Sequence, residues 1–426
     1  MAPMQYHVRR CNRGLSQYCY AGYGKVMTLS SSESALVEIA AAVPMLAQVK
    51  HWAAINSGTS NLKGLAEVAT LLADSFAALP GDVQLVSGEL VDAVQADGAI
   101  TPIAHGDHLH LIVRPDAPLQ MLFTGHMDTV FGVDHPFQTL TWLEKGVLGG
   151  PGVADMKGGI AVMLAALKAV EEGGATFGYE VIINSDEEVG SPSSVALIAR
   201  AAKGKLAAFT YEPSALPDGT LAGARAGSGN FSIIITGKSA HAGRNPDDGR
   251  NAIVAAADLA IRLKAASGKG FSCNPARIEG GSPNNVVPDH AVLRVNFRPK
   301  TPADEGAARA LLDALTTEIA RTHDVSIHIH GSFGRPPKPM DAKAEKLFTL
   351  VKQCGADLGQ TIGWKDTGGV CDGNNISACG VPVVDTMGVR GGSIHSADEF
   401  MIADSLGERA ALSALAIHRI ISKGHL

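Results

Sequence analysis

The predicted rhythm of strands and helices along this chain changes twice, near residue 218 and again near residue 333. Before the first change, LQMLFTG, YEVIIN and LAAFTYEP read as short buried strands, with helical patterns such as IAVMLAALKAV and SSVALIARAA between them. Strands alternating with helices predict an α/β layer around a largely parallel sheet. After residue 218 the order becomes GNFSIIITG (strand), NAIVAAADLAIRLKAA (helix), NPARIEGG and HAVLRVNFR (strands), PADEGAARALLDALTTEIART (helix) and DVSIHIHG (strand). That β-α-β-β-α-β order is a ferredoxin-like sandwich. The α/β pattern then resumes with DAKAEKLFTLVKQC, VPVVDTMG and ADSLGERAALSALAIHRII, so the small unit is an insertion. The expected layout is a disordered extension over 1–26, with Met27 a natural start; an α/β unit over 27–217 and 333–426; and the inserted unit over 218–332.

At 426 residues the chain exceeds one typical core, which agrees with two units. A formal charge of -6 and the lack of any long Lys/Arg run exclude a nucleic-acid footprint. The first predicted helix, SSESALVEIAAAVPMLAQVKHWAAI, is followed by a second, NLKGLAEVATLLADSFAAL. The apolar stretch from Leu36 to Val49 is interrupted by Glu38 and Pro44, short of the roughly 18 apolar residues a membrane span needs, so no membrane partner is expected. Six dispersed cysteines without a CxxC pair suggest neither a zinc ribbon nor a disulfide framework. They fit a reducing, cytoplasmic compartment, while the atypical beginning leaves export open.

In MLFTGHMDTV, His126 and Asp128 stand two apart on a strand, and so project from one face about 6.6–7 Å apart. The carboxyl ends of parallel strands are where open α/β sheets place ligands. There the pair reads either as a metal-binding imidazole held by an acid or as a surface ion pair. Asp155 in GGPGVADMKGG precedes an apolar helix, where it would also serve as an N-cap. Glu187 and Glu188 follow YEVIIN; on extended chain adjacent side chains point oppositely, so the two differ in job or form a solvated turn. Glu212 closes LAAFTYEP, where an unpaired carboxylate is costly. His395 lies in RGGSIHSADEF, a position open to an ordinary loop histidine. Together at successive strand ends, His126, Asp155, Glu187, Glu188, Glu212 and His395 make a set that zinc and hard divalent ions accept.

HMDTV, GGPGVADMKGG, SDEEVGS, GKSAHAG and IHSADE, in this order, resemble the di-zinc aminoacylase and carboxypeptidase family, which also includes glutamate carboxypeptidases and succinyl-diaminopimelate desuccinylase. The resemblance runs from about residue 30 to the end, and INSGT at 55–59 is similar to the glutamate carboxypeptidase branch. It implies two Zn2+, with Co2+ or Mn2+ as possible substitutes. Asp155 would bridge them, Glu188 and His395 would complete one site, and His126 and Glu212 the other. Asp128 would orient His126, and Glu187 would be the general base. The three ligand carboxylates nearly balance two divalent ions, and a fourth from Glu187 would overcharge the cluster.

The implied activity is metal-assisted amide hydrolysis that releases a C-terminal amino acid, glutamate among the candidates, from a small peptide or N-acyl amino acid. No Ser or Cys nucleophile is required, and Cys371 and Ser396 read as packing or turn residues. By the same resemblance, the inserted unit would be a lid through which a homodimer forms, and His241 in GKSAHAG would donate to the oxyanion in the partner's site. Arg298 in VNFRPK and Arg335 in GSFGRPP would take a substrate carboxylate, for which the guanidinium fork suits, with Asn285 in GSPNNVVPD beside them. Each arginine also reads as a surface salt bridge. Gly368 and Gly369 in KDTGGVCDGNN would let backbone approach substrate. The alternatives are an N-acyl-amino-acid deacylase or dipeptidase, a non-catalytic dimeric binding protein on the same scaffold, and a purely structural assembly protein. Intact Glu187 speaks against the second, and the clustered acids against the third.

Overall fold

The structure is a computed structural model and describes residues 29–426. The expectations for residues 1–26 and for Met27 lie outside the described residues. At its centre is a six-stranded sheet in the order Asp82–Val86, His108–Val113, Gly178–Asn184, Gln120–His126, Ala207–Thr210 and Val383–Val384. The last four run parallel, as the alternating pattern predicts. The first two pair antiparallel, so the sheet is mixed. Sequence reading assigns nothing to residues 82–113, which form this edge and a two-stranded hairpin, Val91–Val94 with Ile100–Ile103.

The run MLFTGH is apolar without alternation because both faces of its strand are covered. Met121 and Phe123 join one buried cluster, while Leu122 joins another with Ile182, Ile198 and Ala208. The helix Gly159–Glu172, apolar nearly all round, is buried in the first cluster. The first predicted helix is two helices, Ser31–Ala42 and Met45–Ala53. Pro44 has no N–H to donate and breaks the run. By composition Ser31–Ala53 is apolar enough to cross a membrane, with mean hydropathy 1.2, yet Leu36, Ala40, Met45, Val49 and Trp52 face the protein core.

The second sheet is antiparallel, in the order Phe271–Gly280, His290–Pro299, Ser228–Thr236, Ser326–Arg335. Helices Ala252–Ala265 and Pro302–His323, capped by Asn251 and Thr301, cover one face. Alternate residues Phe231, Ile233 and Ile235 point into that core, as period-2 patterning requires. The chain leaves the α/β unit at Leu221–Arg225 and returns at Arg335–Lys338. There Arg225 and Lys338 exchange backbone hydrogen bonds of 2.9 and 3.0 Å. Both side chains then close on buried Asp385, with Nε of Arg225 at 2.7 Å and Nζ of Lys338 at 3.1 Å.

Candidate active site

His126 is the last residue of the central strand and is 1% exposed. Its Nδ1 lies 3.1 Å from the backbone carbonyl of Asp128 and 3.3 Å from Oδ1 of the same residue. Its Nε2 points the other way, 3.1 Å from Asp155 and 3.7 Å from Glu212. Asp128 is fully buried and well satisfied. Its Oδ1 accepts from the Glu187 N–H at 3.2 Å, and its Oδ2 from the Glu188 N–H at 3.2 Å and from Thr59 Oγ1 at 2.7 Å. Asp128 therefore ties the imidazole, through its carbonyl and its carboxylate, to the acidic turn and the INSGT segment. Ser57 completes that lacing by donating to the Met127 carbonyl at 2.7 Å.

Asp155 does not cap the following helix, whose N-cap is Gly158. It sits in a kinked turn, Val153–Gly158, with its carboxylate between two imidazoles: Oδ1 toward His126 and Oδ2 3.3 Å from Nε2 of His395. The turn is held by Glu399, which accepts from the backbone N–H groups of Gly152, Ala154 and Asp155 at 3.0–3.1 Å. Nothing in SADEF singles this glutamate out from its acidic neighbour, and sequence reading missed it. His395 adopts φ 62, a left-handed conformation uncommon for non-glycine residues. Its Nε2 also meets Oε2 of Glu188 at 3.0 Å.

Glu187 and Glu188 do not lie on extended chain but in a single 3₁₀ turn. They diverge nonetheless: Glu188 turns to His395, and Glu187 Oε1 accepts from Arg335 Nη2 at 2.7 Å. Glu212 offers Oε2 to His126 and leaves Oε1 buried without a hydrogen-bond partner. His126, Asp155 and Glu188 bring one ligand atom each within 4.8 Å of one another, as do His126, Glu187 and Glu212.

The electrostatics mark a cluster short of positive charge. Burial pushes the carboxyls of Glu187 and Glu212 up to about 8. Burial and then the charge of Asp155 lift Glu188 to about 7. Hydrogen bonds to Asp155 and Glu188 raise His395 to about 11. His126 is raised well above its usual value even though burial opposes it, because Glu212, Asp128 and Asp155 surround it. Crowded buried carboxylates hold protons when no cation answers them. The orphaned Oε1 of Glu212 and the His/carboxylate donor set fit divalent ions.

This cluster opens into a cleft of about 1310 Å³ between the two sheets, which Arg298, Arg335, Gly368 and Gly369 also line. Arg298 is half-buried and donates to Asn296 Oδ1 at 2.8 Å. No atom lies within 4 Å of the place a Cβ on Gly368 would take, and the Gly369 carbonyl accepts from Arg225 at 3.1 Å. Arg335 is 3% exposed, with its terminal nitrogens already engaged. His241 and Asn285 are brought together, the Ala242 N–H donating to the Asn285 carbonyl at 2.9 Å. Both are exposed on the inserted unit, and neither lines the cleft of its own chain.

The sequence profile of the family described as "Peptidase family M20/M25/M40" matches residues 122–419. The chain belongs to peptidase family M20/M25/M40. Carboxypeptidase G2 of Pseudomonas sp. (strain RS-16) is 29% identical over 351 residues, covering 80% of each chain. The succinyl-diaminopimelate desuccinylase of Maricaulis maris (strain MCS10) is 30% identical over 329 residues, covering 70% of this chain and 80% of that one. Among solved structures, the YXEP protein of Bacillus subtilis, described as a dinuclear metal-binding peptidase from the M20 family, superposes with a TM-score of 0.60. It is 15% identical, and the alignment covers 88% of this chain and 98% of that one. The M20/M25/M40 chain is thus a metallohydrolase that cleaves amide bonds in peptides or acyl conjugates, and the non-catalytic readings fall away.

Proposed function

We propose that this M20/M25/M40 peptidase is a di-zinc carboxypeptidase that releases a C-terminal amino acid, with glutamate the first candidate, from a small peptide or N-acyl conjugate. The observation that carries the reading is the cluster itself: two imidazoles and buried carboxylates meet at the ends of parallel strands, and Glu212 keeps one oxygen unpartnered. The likeness to carboxypeptidase G2 supports the choice of leaving group. Asp155 would contact both ions, Glu188 and His395 one, and His126 and Glu212 the other, with Co2+ or Mn2+ as substitutes. Ions so held acidify water and polarise a carbonyl. Glu187 takes the proton from the attacking water and delivers it to the leaving amine nitrogen. Asp128 fixes the tautomer and tilt of His126. Arg298, facing the cleft with Gly368 and Gly369, receives the substrate's carboxylate.

The proposed division is a catalytic unit and an inserted lid, supported by their separate buried clusters; the expected bounds of 218 and 332 shift to follow the lid sheet, which begins at Ser228, ends at Arg335 and holds Phe333 in its core. The lid joins two copies in a homodimer. Its edge strand Phe271–Gly280 pairs on one side only, and the adjoining helix exposes Val254 and Ile261, 51% and 69% accessible. In the dimer, His241 and Asn285 serve the partner's cleft, which agrees with their distance from their own. Buried free thiols at Cys273, Cys354 and Cys371 support a cytoplasmic setting.

The test is a panel of N-acyl amino acids, dipeptides and folyl-type glutamates, assayed with zinc, after chelation and with Glu187→Gln. Turnover confined to substrates ending in one free amino acid supports the reading, whereas turnover that survives chelation overturns it. Cleavage governed by the acyl group alone would instead favour a deacylase, the reading that the desuccinylase relative supports.

A further inference from the structure

Arginine suits a substrate carboxylate only while two parallel N–H donors stand free. Those of Arg335 do not. Nη1 donates to Asp372 Oδ1 at 2.9 Å and to Asn375 Oδ1 at 3.0 Å. Nη2 donates to Glu187 Oε1 at 2.7 Å, to the Glu187 carbonyl at 3.1 Å and to Ser191 Oγ at 3.1 Å. Asp372, itself 2% exposed, is fixed from behind by Asn184 at 2.8 Å and Ser191 at 2.5 Å. The guanidinium is thus wedged between two carboxylates, the buried one of Asp372, braced by the body of the sheet, and the partly buried one of Glu187.

Arg335 is also the last residue of the inserted sheet's strand Ser326–Arg335. Three residues on, the chain is pinned again where Lys338 pairs with Arg225 and both close on Asp385. The side chain therefore links the end of the lid sheet to Glu187. We infer that Arg335 is a positioning residue, which holds the Glu187 carboxylate in place and ties it to the lid, and is not the fork that grips the substrate.

The inference rests on the reading of Glu187 as the base, and the two can fail separately. In zinc-loaded Arg335→Ala and Arg335→Lys, kcat should fall by about tenfold or more while KM moves by less than about threefold, the split expected when an interaction made only in the transition state is lost. Glutamate binding by calorimetry and zinc content should stay near wild type. Lysine keeps the charge but cannot span both carboxylates, so it should rescue little; it also carries the test if the alanine variant does not fold. A crystal structure of the variant should show the Glu187 carboxylate swung away from His126 and Glu212. A raised KM with kcat intact, or lost glutamate binding, would overturn the inference in favour of substrate contact, as would an unmoved Glu187. If the wild type hydrolyses nothing on the panel, the functional reading fails, and the position of Glu187 in the variant still decides this one.

Discussion

Glu399 accepts a hydrogen bond from the backbone N–H of Asp155 at 3.1 Å, although 244 residues separate them. The same carboxylate gathers the N–H groups of Gly152 and Ala154. The oxygens that Asp155 offers to His126 and His395 are aimed by a residue that itself touches neither imidazole in the described contacts.

Glu399→Ala should therefore weaken metal binding without removing a ligand. Outer partners of metal ligands typically contribute about 10–100-fold in affinity, and competition with a chromogenic chelator measures the loss. Three orphaned buried donors should also lower the melting temperature of the metal-free protein, since each such group costs about 1–3 kcal/mol.

Removing the metals should make stability depend on pH in one direction. Glu187 and Glu212, raised to about 8, and Glu188, raised to about 7, keep protons that the unfolded chain releases above its usual 4.5. The native state then binds more protons than the unfolded state, so stability falls as pH rises from about 5 to about 8. His126 and His395 act in the same sense: their stabilisation is complete below 6.5 and is lost as pH climbs through their raised values. Asp155 is held below 3.8 and changes nothing in this window. Calorimetry of chelated protein at several pH values should show the fall, and zinc-loaded protein should show much less.

His241→Ala should cost turnover about 2.7–4 kcal/mol of barrier, the usual share of one oxyanion donor, and leave zinc content unchanged. Because His241 lies outside its own cleft, mixing this variant with Glu187→Gln should regain activity through hybrid dimers that contain one intact site. Ile261→Asp, at a residue 69% exposed, should shift the proposed dimer toward monomer by sedimentation and depress turnover with it. Full activity in a monomeric variant would remove the partner's histidine from the mechanism.

Asp385→Ala should be severe for folding. It strips Arg225 and Lys338, both largely buried, of their shared counter-ion, and breaking such a pair costs about 3–5 kcal/mol. Denaturant unfolding would measure it, and Asp385→Asn, which keeps shape without charge, should recover only part.

The two sheets were legible along the chain because hydrophobic periodicity is local. YEVIIN and LAAFTYEP could only be short and buried, and the β-α-β-β-α-β order of the insertion follows from alternation alone. The chemistry at the strand ends was legible for a related reason, since an acid or histidine beside an apolar run needs a partner. Asp82–Val86 and the hairpin strands escaped because they are short and largely exposed, with patterns such as DVQLV that carry little burial signal, whereas His108–Val113 is mostly buried and its alternation was passed over. The break at Pro44 was visible in the sequence, but its consequence, two helices in place of one, was missed.

Which oxygen faces which nitrogen was decided elsewhere. Glu187 and Arg335 stand 148 residues apart, and no spacing rule joins them; their pairing exists because the last strand of one sheet ends beside the acidic turn of the other. Composition and pattern determine what must be buried and which groups will then demand partners. The packing of the two layers determines who those partners are, because Coulomb and hydrogen-bond energies depend on distances of a few ångströms that only the assembled chain defines.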